Sequence, residues 1–199
     1  LVPKPVQKPH PPIWVAGSQP ATYAEAARKG LGILGFNGAE PDEVAPSIKA
    51  YREASVGAVP VGGYANHQVA MFTMANIAQD YTVGRDLACA AARWYAGDND
   101  SELQKVRFSG HTGEYYEGQQ AKGRRPGVRE SVLKRSDDDL INDGLVIGGD
   151  IDSVCRGVER WANLGVDQLF FMIQAGNTTH DEVMRALDLF GEKVLPKFS

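Results

Sequence analysis

The sequence predicts an α/β fold built on parallel strands, and three observations carry that expectation. Short apolar runs alternate with stretches of helical periodicity along the chain. The runs at 13–16, 31–36, 67–75 and 168–173 are near-continuous rather than alternating, the pattern of strands covered on both faces. Turn residues and helix-start signals follow them, the order that parallel strands with right-handed crossovers require. Four such strands are half of a closed eight-stranded barrel. Half a barrel leaves two unpaired edges and an uncovered inner face, so the expectation is one partial-barrel domain over 1–199 that associates with something.

Bulk properties narrow the field. At 199 residues the chain holds one sizeable core or is part of a larger one, and 43% hydrophobic with 23% charged residues is ordinary for a soluble globular protein. A net charge of −4 argues against non-specific nucleic-acid binding, which needs a basic footprint. Cys89 and Cys155 lie far apart in predicted helices and match no metal-ligand spacing. They read as free thiols in a reducing compartment, which points to the cytoplasm. No apolar run approaches the roughly 18 residues needed to span a bilayer, so no membrane partner is expected. The first residues have neither an initiator Met nor a signal-peptide core, so the sequence is expected to continue a longer one.

Taken in order, residues 1–12 hold five prolines and two lysines, which suits extended chain but not a central strand. After the strand at 13–16, Gly17-Ser18-Gln19-Pro20 carries turn and helix-start signals, and Gly30 stands where a helix ends. A strand feeding a helix through a Gly-Ser turn presents backbone N–H groups at the strand's carboxyl end, where an anionic group such as a cofactor phosphate can dock. Beyond the second run, Pro41 restarts a helix with Val44, Ile48 and Tyr51 at helical spacing. A helix over 82–96 follows the third run, with Leu87, Ala90, Ala91 and Trp94 on one side.

Residues 98–135 differ in character. They are polar and glycine-containing, with eight Lys/Arg against four Asp/Glu between 101 and 135. So long an irregular excursion is either functional or a solvated loop, and Arg124 and Arg125 at its centre share both readings. Order returns with a short capped helix over 136–144 and an extended segment at 145–149. Asp150 or Asp152 then caps a helix striped by Val154, Val158 and Trp161. After the run at 168–173, Thr179-His-Asp-Glu182 is a capping box that opens a helix carried by Val183, Leu187 and Phe190.

Several of these segments also carry a likeness. In Gln7-Lys-Pro-His-Pro-Pro-Ile-Trp-Val-Ala-Gly17 and Ala26-Ala-Arg-Lys-Gly-Leu-Gly-Ile-Leu-Gly-Phe36 the sequence resembles the luciferase-like flavin-dependent monooxygenases, the family of bacterial luciferase. Val146-Ile-Gly-Gly-Asp150, Gly165-Val-Asp-Gln-Leu169 and Gln174-Ala-Gly176 through Leu189-Phe-Gly191 extend the likeness in the same order and spacing. It covers essentially all 199 residues but matches only the C-terminal half of the family pattern. The resemblance implies strands five to eight (β5–β8) of a TIM-type (β/α)8 barrel, with the long polar excursion before the last strand. It also implies FMN, supplied reduced by a partner flavin reductase, and oxygen used to oxidise a small organic substrate. An F420-dependent oxidoreductase on the same fold is one alternative, and a non-catalytic half-barrel that binds or assembles through its exposed strands is another. In the family, the first four strands supply the floor under the flavin ring, with a non-proline cis peptide, and basic residues for the phosphate. A missing N-terminal half-barrel, or a self-association partner, is implied in turn.

The resemblance assigns Gly17, Ser18 and Thr22 to the phosphate loop after the family's fifth strand. Ser18 also suits a plain helix N-cap, and Thr22-Tyr-Ala-Glu25 also fits a structural capping box. Trp14 suits core packing, while Phe36 and Asn37 stand nearer the expected mouth as candidate substrate contacts. His67 and His180 are the histidines placed near a site, and Gln174, directly after the last strand, is a candidate for a flavin edge or substrate. His180 and Gln174 are the candidate catalytic residues. No Ser-His-Asp triad, P-loop, GxGxxG fingerprint or metal cluster stands out.

Overall fold

The computed structural model describes residues 2–36, 40–98 and 132–198, with Phe36 and Asp98 described through their backbone alone. They fall into two compact units, Leu1–Thr73 with Cys155–Met172, and Met74–Val154 with Ile173–Ser199.

In the first unit, β1 (Trp14–Ala16), β2 (Gly32–Phe36) and β3 (Val69–Ala75) pair in parallel, and β5 (Gln168–Met172) also pairs with β3. The register sets Ala16 opposite Leu34 and Phe36 opposite Phe72. Helices α1 (Pro20–Arg28) and α2 (Pro41–Ser55) connect the first three strands. Pro46 sits inside α2 without ending it, within two turns of its start. Because side chains alternate along a strand, each strand shows two faces. Ile33, Val69, Met71 and Thr73 share one face and are fully buried, with the Tyr23 hydroxyl of α1 donating to Met71 Sδ at 3.6 Å. Trp14, Leu34 and Phe72 share the other and are only half-buried. A Gln168–Gln68 side-chain hydrogen bond of 2.8 Å sets Phe170 on that same face, where it is 48% exposed. The cover on both faces expected from the continuous apolar runs is fuller on the first face than on the second, where Ala70 is fully buried beside the half-buried Trp14, Leu34 and Phe72.

The start of α1 corrects two expectations. Its N-cap is Gln19, with Pro20 in the first turn and no side-chain cap, so Ser18 does not cap the helix. Glu25 bonds Lys29 at 3.1 Å and Arg28 at 3.3 Å instead of closing a box on Thr22, because Thr22 already lies inside the helix. Those two cations, Lys29 first, hold the Glu25 carboxyl below its ordinary range.

In the second unit, the last two residues of β3 pair in parallel with β4 (Val146–Ile147), Met74 opposite Val146 and Ala75 opposite Ile147. The extended segment expected there is thus a fifth, very short strand. Helix α3 (Tyr81–Arg93) is capped by Asp80, whose Oδ1 accepts from the Val83 amide at 3.1 Å. It stops three residues before the expected end, in a π-helical turn over Trp94–Asp98 where Gly97 has φ 95°. Ser136 caps α4 (Asp137–Asn142) through the Asp139 amide at 3.1 Å, and Asp150, not Asp152, caps α5 (Ile151–Asn163) through the Ser153 amide at 2.9 Å. The capping box opens α6 (His180–Leu189) as expected, with Glu182 Oε2 accepting from the Thr179 amide at 2.7 Å. Only the end of the polar excursion is described. There Val132 is buried, and the Val132 and Arg135 carbonyls accept from Arg93 at 3.0 and 2.8 Å.

Cys89 lies fully buried in α3, and burial pushes its thiol up to about 12. A thiol that ionises later folded than unfolded stabilises the fold below its ordinary range, near pH 8.5, and loses that contribution as pH rises toward 12. The urea midpoint is expected to fall with pH across that window, and more shallowly in Cys89→Ala. Equal slopes would contradict the assignment. Cys155 is also buried, so neither thiol should react with an alkylating reagent at pH 8 until the chain unfolds.

Candidate functional site

The turn after β1 gathers the three residues assigned to the phosphate. Gly17 continues the ladder, its amide donating to the Leu34 carbonyl at 3.0 Å, so that N–H is already engaged. The Ser18 and Gln19 amides have no backbone acceptor among the described residues, and Pro20 has no N–H to offer. Ser18 is exposed and free of any capping bond. Thr22 is half-buried one helical turn on, and a Cβ on Gly17 would stand 2.6 Å from its Cγ2. Glycine at 17 is what lets Thr22 close over the turn. The arrangement offers two amides and two hydroxyls at the carboxyl end of a parallel strand, a suitable donor set for an oxyanion.

Other candidates separate. Trp14 begins β1 and packs over Gly32, where a Cβ would lie 2.6 Å from Trp14 Cε3, in keeping with a packing role. Phe36 ends β2, but its side chain and all of Asn37 lie outside the described residues, as do Arg124 and Arg125. His67 is exposed two residues before β3, at the strand's amino end and not the carboxyl end where a barrel site forms. Its carbonyl accepts from Arg52 at 2.6 Å, a structural role.

In the second unit, Gln174 and His180 are both exposed, and neither lines the cleft that opens there. That cleft, about 420 Å³, runs between α3 and the loop before α6. Leu87, Ala90, Ala91 and Trp94 form one wall, and Ala175, Asn177 and Thr178 form the other. Leu87, Ala90, Ala91 and Trp94 are the stripe expected on this helix, and helical spacing alone does not tell a cleft wall from a core face. At the end of β3, Asn76 is fully buried, its Oδ1 accepting from the Ile77 amide at 2.9 Å while Nδ2 finds no acceptor among the described residues. Among the described residues no group of three or more His, Cys, Asp or Glu could hold a metal, and no helix is long and apolar enough to cross a membrane.

A family model described as luciferase-like monooxygenase matches residues 1–168. The chain belongs to the luciferase-like monooxygenase family. Solved structures support the fold. Monooxygenase RslO1 from Streptomyces bottropensis matches at 20% identity with a TM-score of 0.69, over 100% of this chain and 51% of its own. The oxygenating constituent of 3,6-diketocamphane monooxygenase from Pseudomonas putida, a type II Baeyer-Villiger monooxygenase in complex with FMN, matches at 15% identity with a TM-score of 0.62, over 94% and 49%. Coenzyme F420-dependent tetrahydromethanopterin reductase from Methanopyrus kandleri matches at 19% identity with a TM-score of 0.59, over 94% and 51%. This member of the luciferase-like family thus spans about half the length of each. No match was found among curated proteins.

Proposed function

We propose that the chain is the C-terminal half of a luciferase-like (β/α)8 flavin monooxygenase, a single partial-barrel domain that acts in the cytoplasm with an N-terminal half-barrel and a flavin reductase. The turn after β1 carries the reading: Ser18, Thr22 and the amides of Ser18 and Gln19 fit a phosphate. Reduced FMN would supply the electrons for oxygen to oxidise a small organic substrate. The protein's share is to hold, orient and exclude water. In that role the Ser18 hydroxyl and the free amides bind the phosphate, and Thr22 closes the turn. The half-exposed face bearing Trp14, Leu34, Phe72 and Phe170 supplies apolar wall. The likeness to the F420-dependent reductase supports a second reading, hydride transfer with F420, and the same phosphate turn serves either cofactor.

Titration separates these readings. Alone, the chain is expected to bind FMN weakly. Supplied with four N-terminal βα units of a family relative, it should bind and turn over. Ser18→Ala is then expected to weaken FMN about tenfold, one charge-assisted hydrogen bond, while leaving riboflavin, which lacks the phosphate, unchanged. Tight one-to-one FMN binding by the monomeric chain would sink the half-site reading, and F420 saturating where FMN does not would select the alternative.

A further inference from the structure

The cleft between α3 and the Ala175–Thr178 loop has a chemical character of its own, independent of the flavin reading. Two charged residues line it, and both are engaged. Arg93 donates to Asp137 Oδ1 from Nε at 3.2 Å and from Nη2 at 2.5 Å, and to the Val132 and Arg135 carbonyls. Glu182 accepts from the Thr179 amide and hydroxyl, both at 2.7 Å, and those bonds hold its carboxyl below the ordinary range. An anionic ligand would meet no unspent cation, since Arg93 is paired with Asp137, and it would be repelled by the Glu182 carboxylate, whose hydrogen-bond partners are neutral. The remaining wall is apolar, from Leu87, Ala90, Trp94 and Ala175.

Two features give direction. Trp94 is 44% exposed yet fixed, because a Cβ on Gly176 would stand 2.9 Å from its Cγ and Gly176 holds φ 65°. Only glycine takes that backbone conformation freely, so the loop presses its bare backbone against the indole. Asn177 supplies a side-chain amide that pairs with nothing among the described residues, whereas the Thr178 hydroxyl donates to the Ala175 carbonyl at 2.8 Å. About 420 Å³ lies within the size range of small-molecule sites.

We infer that this cleft binds a neutral, flat, mainly apolar molecule carrying one carbonyl or hydroxyl group, with the ring against Trp94 and the oxygen on the Asn177 amide. The probe is 1-tetralone, a neutral bicyclic ketone, with 1-naphthoate as its charged counterpart and naphthalene as the partner without oxygen. Binding to the full chain is followed by amide and side-chain NMR shifts. Tetralone should shift Asn177 and the Trp94 indole saturably, at least tenfold more tightly than naphthoate. Asn177→Ala should weaken tetralone about tenfold and leave naphthalene unchanged. Ala90→Phe, an exposed position, should fill the cleft and abolish binding with an unchanged circular dichroism spectrum. The inference fails if no saturable shift appears, if naphthoate binds as tightly, or if Ala90→Phe binds tetralone like the parent.

Discussion

Gly84→Ala is expected to destabilise the chain by about 2 kcal/mol, although alanine is the better helix former. The position lies in α3, where replacing glycine by alanine ordinarily gains about 1 kcal/mol. Here a Cβ would overlap the Gly149 carbonyl oxygen, and would stand 2.7 Å from that carbonyl's carbon and 2.9 Å from the Ala78 nitrogen. These are backbone atoms, and the same carbonyl accepts from the Ala78 amide at 3.1 Å, so relief means moving a loop and losing a hydrogen bond. Overpacking against atoms that cannot rotate away costs about 3 kcal/mol, the upper end of its usual range. The steric cost wins by about 2 kcal/mol, which at this chain length lowers the melting temperature by about 4–8 °C.

The control is the same substitution where space is open. Gly191 lies in the helical run after α6, and a Cβ there would meet nothing within 4 Å. Gly191→Ala should therefore stabilise by about 0.5–1 kcal/mol. Urea or thermal melts on the two variants must move in opposite directions. If Gly84→Ala also stabilises, the close approach of α3 to the Gly148-Gly149 loop is wrong.

That approach shows what the sequence could and could not disclose. The four long strands were legible to within one or two residues, because apolar runs bounded by Gly and Pro leave few alternatives. The Thr179–Glu182 box and the Ser136 cap were legible because capping chemistry is local. β4 was not, since two residues carry no period and its pairing depends on where β3 ends. Gly84 falls inside the helix expected over 82–96 and the Gly148-Gly149 pair inside the extended segment expected at 145–149; only packing shows that they face each other. At the candidate phosphate turn, sequence brought Gly17, Ser18 and Thr22 together but could not show that the Gly17 amide is spent on Leu34, which depends on register. The α3 stripe of Leu87, Ala90, Ala91 and Trp94 has the spacing of a core face, and spacing is silent about whether anything packs against it.

The second large effect is expected at Asp167, the residue before β5. Its Oδ2 accepts from Arg52 Nη2 and from the Val69 amide, both at 2.6 Å. Arg52 gives two further N–H groups to the His67 and Gly165 carbonyls, each at 2.6 Å. One guanidinium thus ties the last turn of α2 to the start of β3 and to the turn before β5. Both side chains are about one-third exposed, so solvent screens the charge and the hydrogen-bond geometry matters more than the Coulomb attraction. Asp167→Ala removes the Val69 amide's acceptor where β3 enters the core, and leaves Arg52 with two carbonyls and no carboxylate. About 2–3 kcal/mol of destabilisation is expected from one orphaned backbone donor and one lost charge-assisted bond. Arg52→Lys should cost nearly as much as Arg52→Ala, because a lysine ammonium has no planar fork to reach two carbonyls and a carboxylate together. A double-mutant cycle of Arg52→Ala with Asp167→Ala should return a coupling of about 1 kcal/mol or more. A coupling near zero would mean that the two side chains act separately, and that the knot at the amino end of β3 does not hold these elements together.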